Sequence, residues 1–377
     1  MDGVDFDVIV VGAGTAGCYL TRKLVKNGID ACIVEKSSRT KADSGIVSGH
    51  FFDYIPDKSL VKARIKAMNL VSPSGTRICV RSKRPFAFLL ERERLGKKMR
   101  AGVRSRIIDG RFVGCDVHKG WVDVKVAETN GVLRESSYSC RVLVGADGAM
   151  SQVRSALGVE GPEITWGVAR RSEACRGTVS VFFNKDYSSD GFAWQIPQSG
   201  EYGVVSSAKP AECLQRFLAD AKADSRRRMI GAPIPIGACR SYAERTILVG
   251  DAAGQVKPLT GGGIVWGLRC ADIAARAIEY AFDAKRYDAF FWKTEYEQRW
   301  RAAVGSELKR QLLARNLYKR LNNAQIENIF KAIMPSLEGA SDFDYDALSE
   351  LFKAMPKIGL LRTLIPPLLR SSKGASL

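Results

Sequence analysis

The chain has 377 residues, 46% hydrophobic and 26% charged, enough for two or three full-sized cores and unlike a disordered segment. Lys and Arg outnumber Asp and Glu by 58 to 40, a net charge of +18, so the expected partners are anions: acidic lipid, phosphorylated ligands, acidic proteins or nucleic acid. Two histidines, nine scattered cysteines without a CxxC, an acidic start through Asp7 and no uncharged apolar run near the ~20 residues of a bilayer span argue against histidine or zinc chemistry, a dithiol centre, a signal peptide and a transmembrane segment.

In chain order, residues 6–12 (FDVIVVG) form an apolar run ending in glycine, which predicts a buried parallel strand. Cys18 to Asn27 predicts a helix closed by Gly28, and Ala31 to Val34 a second buried strand ended by Glu35. Residues 40–85 carry no clear period. Glu91 to Arg100 predicts a basic helix, inside a stretch from Arg81 to Arg111 with eleven Lys/Arg and three acids. Residues 103–143 alternate, as in Trp121-Val-Asp-Val-Lys-Val126, and predict antiparallel strands. RVLVG (141–145) and TILVG (246–250) predict two more buried strands, residues 165–208 a second sheet, and residues 263–283 a long helix. From 290 onward the pattern is helical, with a second basic run from Arg299 to Arg320. Cys18, Cys32, Cys140 and Cys270 fall among apolar neighbours and are expected to be inert core thiols, which suits a reducing cytoplasm.

Gly12-x-Gly14-x-x-Gly17, between that first strand and helix, is a dinucleotide fingerprint. The first glycine allows the tight turn, the second lets backbone approach a pyrophosphate, and the third lets helix and strand pack closely. The helix start, with Thr15 and Ala16, supplies amide donors to the anion. Glu35, 18 residues past Gly17 and followed by Lys36, is placed to accept from ribose hydroxyls. This motif serves NAD and FAD alike. Two later strand ends carry Gly145-Ala-Asp147-Gly148-x-x-Ser151-x-x-Arg154 and Gly250-Asp251-Ala-Ala-Gly254, the latter leading to Pro258-x-Thr260-Gly261-Gly262-Gly263-Ile264.

The set of three motifs resembles the FAD-binding fold of the p-hydroxybenzoate hydroxylase type. The resemblance implies FAD as cofactor, Asp147 in its DG motif, and Asp251 in its GD motif at the ribityl or ribose region. Glycines 261–263 would open a helix whose dipole faces the flavin pyrimidine edge and favours the charge of reduced flavin. The string GDAAGQVKPLTGGGI narrows the resemblance to the geranylgeranyl reductase family, including archaeal enzymes that saturate isoprenoid lipid chains; it covers roughly residues 6–285. Ser44-Gly45-Ile46-Val47-Ser48 resembles that family's loop beside the flavin, and Glu91-Arg92 its acid–Arg pair, whose Arg contacts FAD. Phe192-Ala-Trp194-Gln-Ile-Pro197, then Gly200 and Gly203, resembles its substrate-pocket motif. Asp43 and Ser44 stand where the family commonly has a cysteine, and Phe192 replaces a tyrosine.

The expected architecture is α/β: a Rossmann-type three-layer FAD-binding domain (1–70, 86–158 and 240–285), an inserted antiparallel-sheet α+β substrate domain (71–85 and 159–239) and a helical C-terminal region (286–377). The resemblance implies an FAD-dependent reductase of prenyl-lipid double bonds in membrane phospholipid synthesis. A monooxygenase of the same fold is the alternative, and a non-redox or RNA-associated flavoprotein a third; no RNA-binding module signature is present, so nucleic acid is not an expected partner. Water, Ser44 and Asp43 are the candidate proton sources. No second GxGxxG unit is present, so the electron donor is open between NAD(P)H and an acidic ferredoxin that would suit the basic surface. Leu348, Leu351, Phe352 and Met355, then Leu361, Leu364, Ile365 and Leu368, recur at helical spacing among basic residues; they fit either a helix packed on the body or one lying in an anionic membrane interface. A cytoplasmic protein, peripheral on the inner membrane face, is the corresponding expectation.

Overall fold

The computed structural model describes residues 3–36, 45–128, 134–173, 175–223, 226–337 and 345–346. Its first sheet is built on the apolar runs noted above. Strands Ala31–Glu35, Phe6–Val11, Arg134–Gly145 and Thr246–Leu248 lie side by side and parallel, with Ile9 opposite Cys32 on one side and Leu143 on the other. Val8, Ile9 and Val10 are fully buried, as expected when both faces of a parallel sheet are covered. One face packs on helices Thr15–Lys26, Arg92–Ala101 and Ile264–Ala284, the other on an antiparallel meander.

Two long strands belong to both layers. Ile107–Val117 begins parallel to Ala31–Glu35 and ends antiparallel to Val122–Glu128; Arg134–Gly145 begins on Val122–Glu128 and ends parallel to Phe6–Val11. Val122, Val124 and Val126 are buried, so the alternation in the sequence marks one covered face.

A second sheet has the order Ile230–Ile236, Glu163–Arg171, Glu201–Ser206, Ala193–Ile196, Val179–Phe182, Ala67–Val71, Arg77–Arg81 among the described residues. All its pairings are antiparallel except Val179–Phe182 on Ala67–Val71. The aperiodic region 40–85 thus supplies two strands here and part of a small sheet formed by Ile46–Val47, Ala87–Leu90 and Val61–Ile65. Short, half-exposed strands with charged outer residues explain why no period is legible there.

The predicted helix after 263 runs Ile264–Ala284, and the first helix begins at Thr15, three residues before its apolar pattern, because Gly14 caps it. Beyond Asp288 the chain is helical through Lys319, with wide turns at Lys293–Gln298 and Arg301–Gly305, and a last described helix spans Asn323–Leu337. The amphipathic pattern from Leu348 to Leu368 lies outside the described residues. No described helix is long and apolar enough to cross a membrane. Cys18, Cys32, Cys140 and Cys270 are buried, and burial raises all four thiols, Cys18 and Cys32 to about 12.

Candidate functional site: a nucleotide cleft continuous with an apolar arm

The three sequence motifs converge on one cavity of about 1630 Å³. The glycines of the first motif differ in what surrounds them. Gly12 has φ +107°, and a Cβ there would lie 2.5 Å from the Ala146 carbonyl oxygen; one on Gly17 would lie 2.1 Å from the Gly12 oxygen. These two are required by backbone packing, and Gly17 is off the cavity wall. Nothing lies within 4 Å of a Cβ on Gly14, which faces the cavity with Thr15 and Ala16. No side chain caps the helix at Gly14 and no acid stands in its first turn. Glu35 holds the loop: its Oε2 accepts from the Ala13 N–H at 2.7 Å, with the Arg100 guanidinium at 3.6 Å.

The second motif makes a similar turn. Asp147 Oδ2 accepts from the backbone N–H groups of Gln152 (2.6 Å) and Val153 (3.2 Å), while its Oδ1 is buried without a protein partner. Ser151 caps the short helix Gln152–Ala156 by accepting from the Arg154 N–H at 3.0 Å. The buried Arg154 guanidinium donates to the carbonyls of Ala149 and Ala252, both at 2.9 Å, and so ties this turn to the Gly250–Gly254 turn.

That third turn is braced from the C-terminal helices. The Gly250 N–H donates to Gln255 Oε1 (2.7 Å), Gln255 Nε2 to Tyr296 Oη (2.9 Å), and Tyr296 Oη to the Leu248 carbonyl (2.6 Å). Tyr296 is fully buried, beside Trp292 and Trp300, and Trp300 Nε1 donates to Ser241 Oγ at 2.8 Å. Asp251 is thereby set on the cavity wall, its Oδ1 only 2.8 Å from where a Gly263 Cβ would be. Gly263 caps the 21-residue helix Ile264–Ala284 without a side-chain bond, so a second undecorated helix start opens on the cavity. Gly45 has φ +59° and rests on Arg92, whose Cδ and Cγ would lie 2.2 and 2.5 Å from a Cβ there.

The cavity then runs between the second sheet and the last described helices. Leu70, Val181 and Phe183 line one side; Leu317, Ile329 and Phe330 line the other. Trp194 lies flat across Gly203, which could not carry a Cβ (2.2 Å from the ring), and its Nε1 donates to Glu201 Oε1 at 2.8 Å. Phe192 stands with it on the wall, ring centroids 6.0 Å apart. Pro197, predicted among the substrate residues, is not on the wall: it opens the turn Pro197–Ser199, where its fixed φ suits a first helical position. A buried ion pair, Arg315 with Asp190 at 2.8 Å, adjoins the arm, and the nearby Lys185 ammonium sits 3.7 Å from the Tyr318 ring centroid.

Thus Gly12, Gly14, Thr15, Ala16, Glu35, Lys36, Gly45, Ile46, Arg92, Asp147, Asp251, Gly261, Gly262, Gly263, Ile264, Phe192 and Trp194 all border one space. Asp43 and Ser44 lie outside the described residues. Sequence reasoning missed the Gln255–Tyr296 brace and the arm wall from helices Ser306–Lys319 and Asn323–Leu337. The only signal for the arm is the helical period itself, which does not say what a helix covers.

A family model for an FAD binding domain matches residues 5–51. The digeranylgeranylglycerophospholipid reductase of Methanococcus vannielii is 25% identical over 88% of this chain and 92% of its own length. A second such reductase, from Methanothermobacter thermautotrophicus, is 27% identical over 97% of this chain and 98% of its own. The chain is an FAD-dependent oxidoreductase that is similar over most of its length to these geranylgeranyl-lipid reductases. In fold, the chain superposes on a geranylgeranyl bacteriochlorophyll reductase-like protein of Thermoplasma acidophilum (TM-score 0.83, 18% identity, covering 95% of this chain and 99% of that one). It also shares its fold with p-nitrophenol 4-monooxygenase of Pseudomonas putida (TM-score 0.70, 15% identity, covering 94% and 98%). The p-hydroxybenzoate hydroxylase type of fold expected from the three motifs is therefore the one observed.

Proposed function

We propose that the protein saturates isoprenoid double bonds of prenyl lipids, in membrane phospholipid synthesis, with FAD held at the glycine-lined end of the cavity. The observation that carries this reading is the continuity of the space. At about 1630 Å³ it exceeds the ~1,000 Å³ upper range of ordinary ligand pockets, and its far arm is walled by aliphatic and aromatic side chains. A dinucleotide and a long hydrocarbon fit that volume and that division of polarity together. The activity for which the two methanogen reductases are named supports the same substrate class.

The chain's groups fit FAD. The open Cβ position at Gly14 and the uncapped helix start suit the pyrophosphate, and Glu35 suits the adenosine ribose. The orphaned Asp147 Oδ1 and the Asp251 carboxylate suit hydroxyl donors of the ribityl chain. Arg92 beneath Gly45 and the amides at Gly261–Gly263 suit the ring system. Bound and reduced, FAD supplies a hydride. The protein's part is to hold an isolated alkene against it, to exclude water through the apolar arm, and to hold the negative charge of the reduced ring with the helix start at Gly263; the second hydrogen is added to the other alkene carbon as a proton.

The +18 charge supports an acidic electron donor and an anionic membrane face as partners, with the protein peripheral on the cytoplasmic side. Arg94, Lys97 and Lys98 are exposed on the helix that begins at Arg92.

The deciding experiment reduces the flavoprotein with dithionite under anaerobic conditions and adds geranylgeranyl lipid phosphate. Flavin reoxidation with a mass gain of two hydrogens per double bond is expected. Absence of both overturns the reading, and oxygen-dependent gain of one oxygen atom would move it to a hydroxylase.

A further inference from the structure

One buried charged pair borders the glycine-lined end of the cavity. Lys257 stands inside the run from Gly250 to Gly263, its side chain only 4% exposed, and its Nζ meets Asp346 Oδ1 at 2.9 Å. The same ammonium donates to the Tyr345 carbonyl (3.3 Å) and lies 4.3 Å from the Tyr345 ring centroid. Ser48 Oγ donates to the other Asp346 oxygen. Lys257, Tyr345 and Asp346 all border the cavity.

The lysine is stitched to the triple-glycine turn. Its N–H donates to the Gly262 carbonyl (3.2 Å) and its carbonyl accepts from the Gly261 N–H (2.8 Å). Its side chain passes along the same turn: a Cβ on Gly262 would lie 2.8 Å from Lys257 Cε and 3.3 Å from Nζ. The third-nearest atom to that point, at 3.5 Å, is Thr260 Oγ1, so every Asp346 atom is farther away than the ammonium. At this point of the turn the ammonium is therefore nearer than any atom of its counter-ion.

A buried cation is costly to desolvate and persists when paired. Its position relative to the turn gives it a further use. We propose that Lys257 raises the electron affinity of a flavin held at Gly261–Gly263, and that Asp346 restrains that effect. The inference rests on the cofactor placement given above. It needs no lipid, so a wrong substrate assignment leaves its test intact.

The mechanism is electrostatic. Reduction places negative charge on the flavin ring, and a fixed cation in a low-dielectric wall stabilises that charge more than it stabilises the neutral oxidised ring. Neutralising Asp346 leaves the cation unopposed and favours the reduced form. Removing the Lys257 charge does the reverse. Removing both returns the site close to its starting balance.

The test uses full-length flavoprotein reconstituted with saturating FAD, and reads two quantities without substrate. One is the two-electron midpoint potential against reference dyes. The other is the dissociation constant for sulfite, whose adduct with the oxidised ring also leaves the ring negative. Asp346→Asn is expected to tighten sulfite binding about tenfold and to raise the potential, a tenfold change in equilibrium constant being about 30 mV for a two-electron couple. Lys257→Met is expected to weaken sulfite binding by a similar factor and to lower the potential. The double variant should return to within about threefold of the wild type, and Lys257→Arg should stay there. A merely structural pair would shift both single variants in the same direction, through looser flavin packing. That result, or single variants within twofold of the wild type, or a double variant that does not return, overturns the proposal. Circular dichroism and the flavin-to-protein ratio of each variant separate a folding defect from a redox effect.

Discussion

The two ends of the cavity are made of different material. The glycine-lined end is mainly a backbone surface: glycines at 12, 14 and 261–263, two helix starts without side-chain caps, and the Glu35 and Asp147 carboxylates, which accept from main-chain amides. The apolar arm is a side-chain surface, contributed by strands from Ala67 to Phe182 and by helices after Ser306. Where the backbone surface packs on its own main chain, as at Gly12 and Gly17, it tolerates no added atom, because nothing there can rotate away. A side-chain surface adapts, so single changes there should alter selectivity before they alter integrity.

Five substitutions would break or sharpen this contrast. The largest effect is expected at Gly17, where a methyl group would sit 2.1 Å from the Gly12 oxygen. Gly17→Ala should cost about 3 kcal/mol of stability, with a clear fall in thermal midpoint. Gly14→Ala is the internal control: Gly14 has an ordinary φ of −74° and open space beyond it, so this variant should fold normally and lose flavin affinity instead. Equal destabilisation of the two would refute the division of labour between these glycines.

Next is Asp251→Ala, which removes a carboxylate from the cavity wall while leaving the Gly250–Gln255–Tyr296 brace in place. FAD should bind roughly 10- to 100-fold more weakly, in line with loss of a hydrogen bond to a charged group. Flavin-to-protein ratios after gel filtration measure this, and full occupancy would remove Asp251 from the cofactor site.

In the arm, Ile329→Trp should leave flavin content unchanged and lower kcat/KM for a geranylgeranyl substrate about tenfold, by taking up hydrocarbon space. An unaltered kcat/KM would place the substrate elsewhere.

The smallest effect concerns the polar group beside the arm. Burial pushes Lys185 down to about 8, partly opposed by Asp190. An unfolded lysine titrates near ~10.4, so between these two values the unfolded chain binds more protons and stability rises with pH. Below about 8 the burial cost is fully present. Relative to Lys185→Gln, the wild type should gain about 1 kcal/mol between pH 7.5 and 9.5, a figure reduced for the group's remaining exposure. Denaturant midpoints at the two pH values give the difference, and a constant difference would show that Lys185 keeps its charge throughout.

The same contrast explains what was legible beforehand. Backbone sites announce themselves locally, because a tight turn and a close approach need glycine at fixed spacings; all three motifs could be placed from the chain alone. Gln255 and Tyr296 are 41 residues apart, and no spacing rule joins them. The arm is less legible still: Leu70, Val181 and Phe330 come together only because Val179–Phe182 pairs with Ala67–Val71 and a later helix covers that edge. Pro197 illustrates the opposite error, a residue inside a recognisable motif whose place is set by its own ring rather than by the cavity.

The pairing order of the first sheet has a kinetic consequence. Its central strand, Phe6–Val11, must wait for Arg134–Gly145 on one side, and that strand must wait for Thr246–Leu248. Loops of more than a hundred residues have to close before the three turns face one another. Such long-range pairing belongs to slow folders, and a sheet edge left open during that wait can recruit another chain. Refolding from denaturant is therefore expected to be slow and concentration-sensitive, with flavin fluorescence changing in the last phase. Flavin capture ahead of that phase would show that the turns assemble before the sheet is complete.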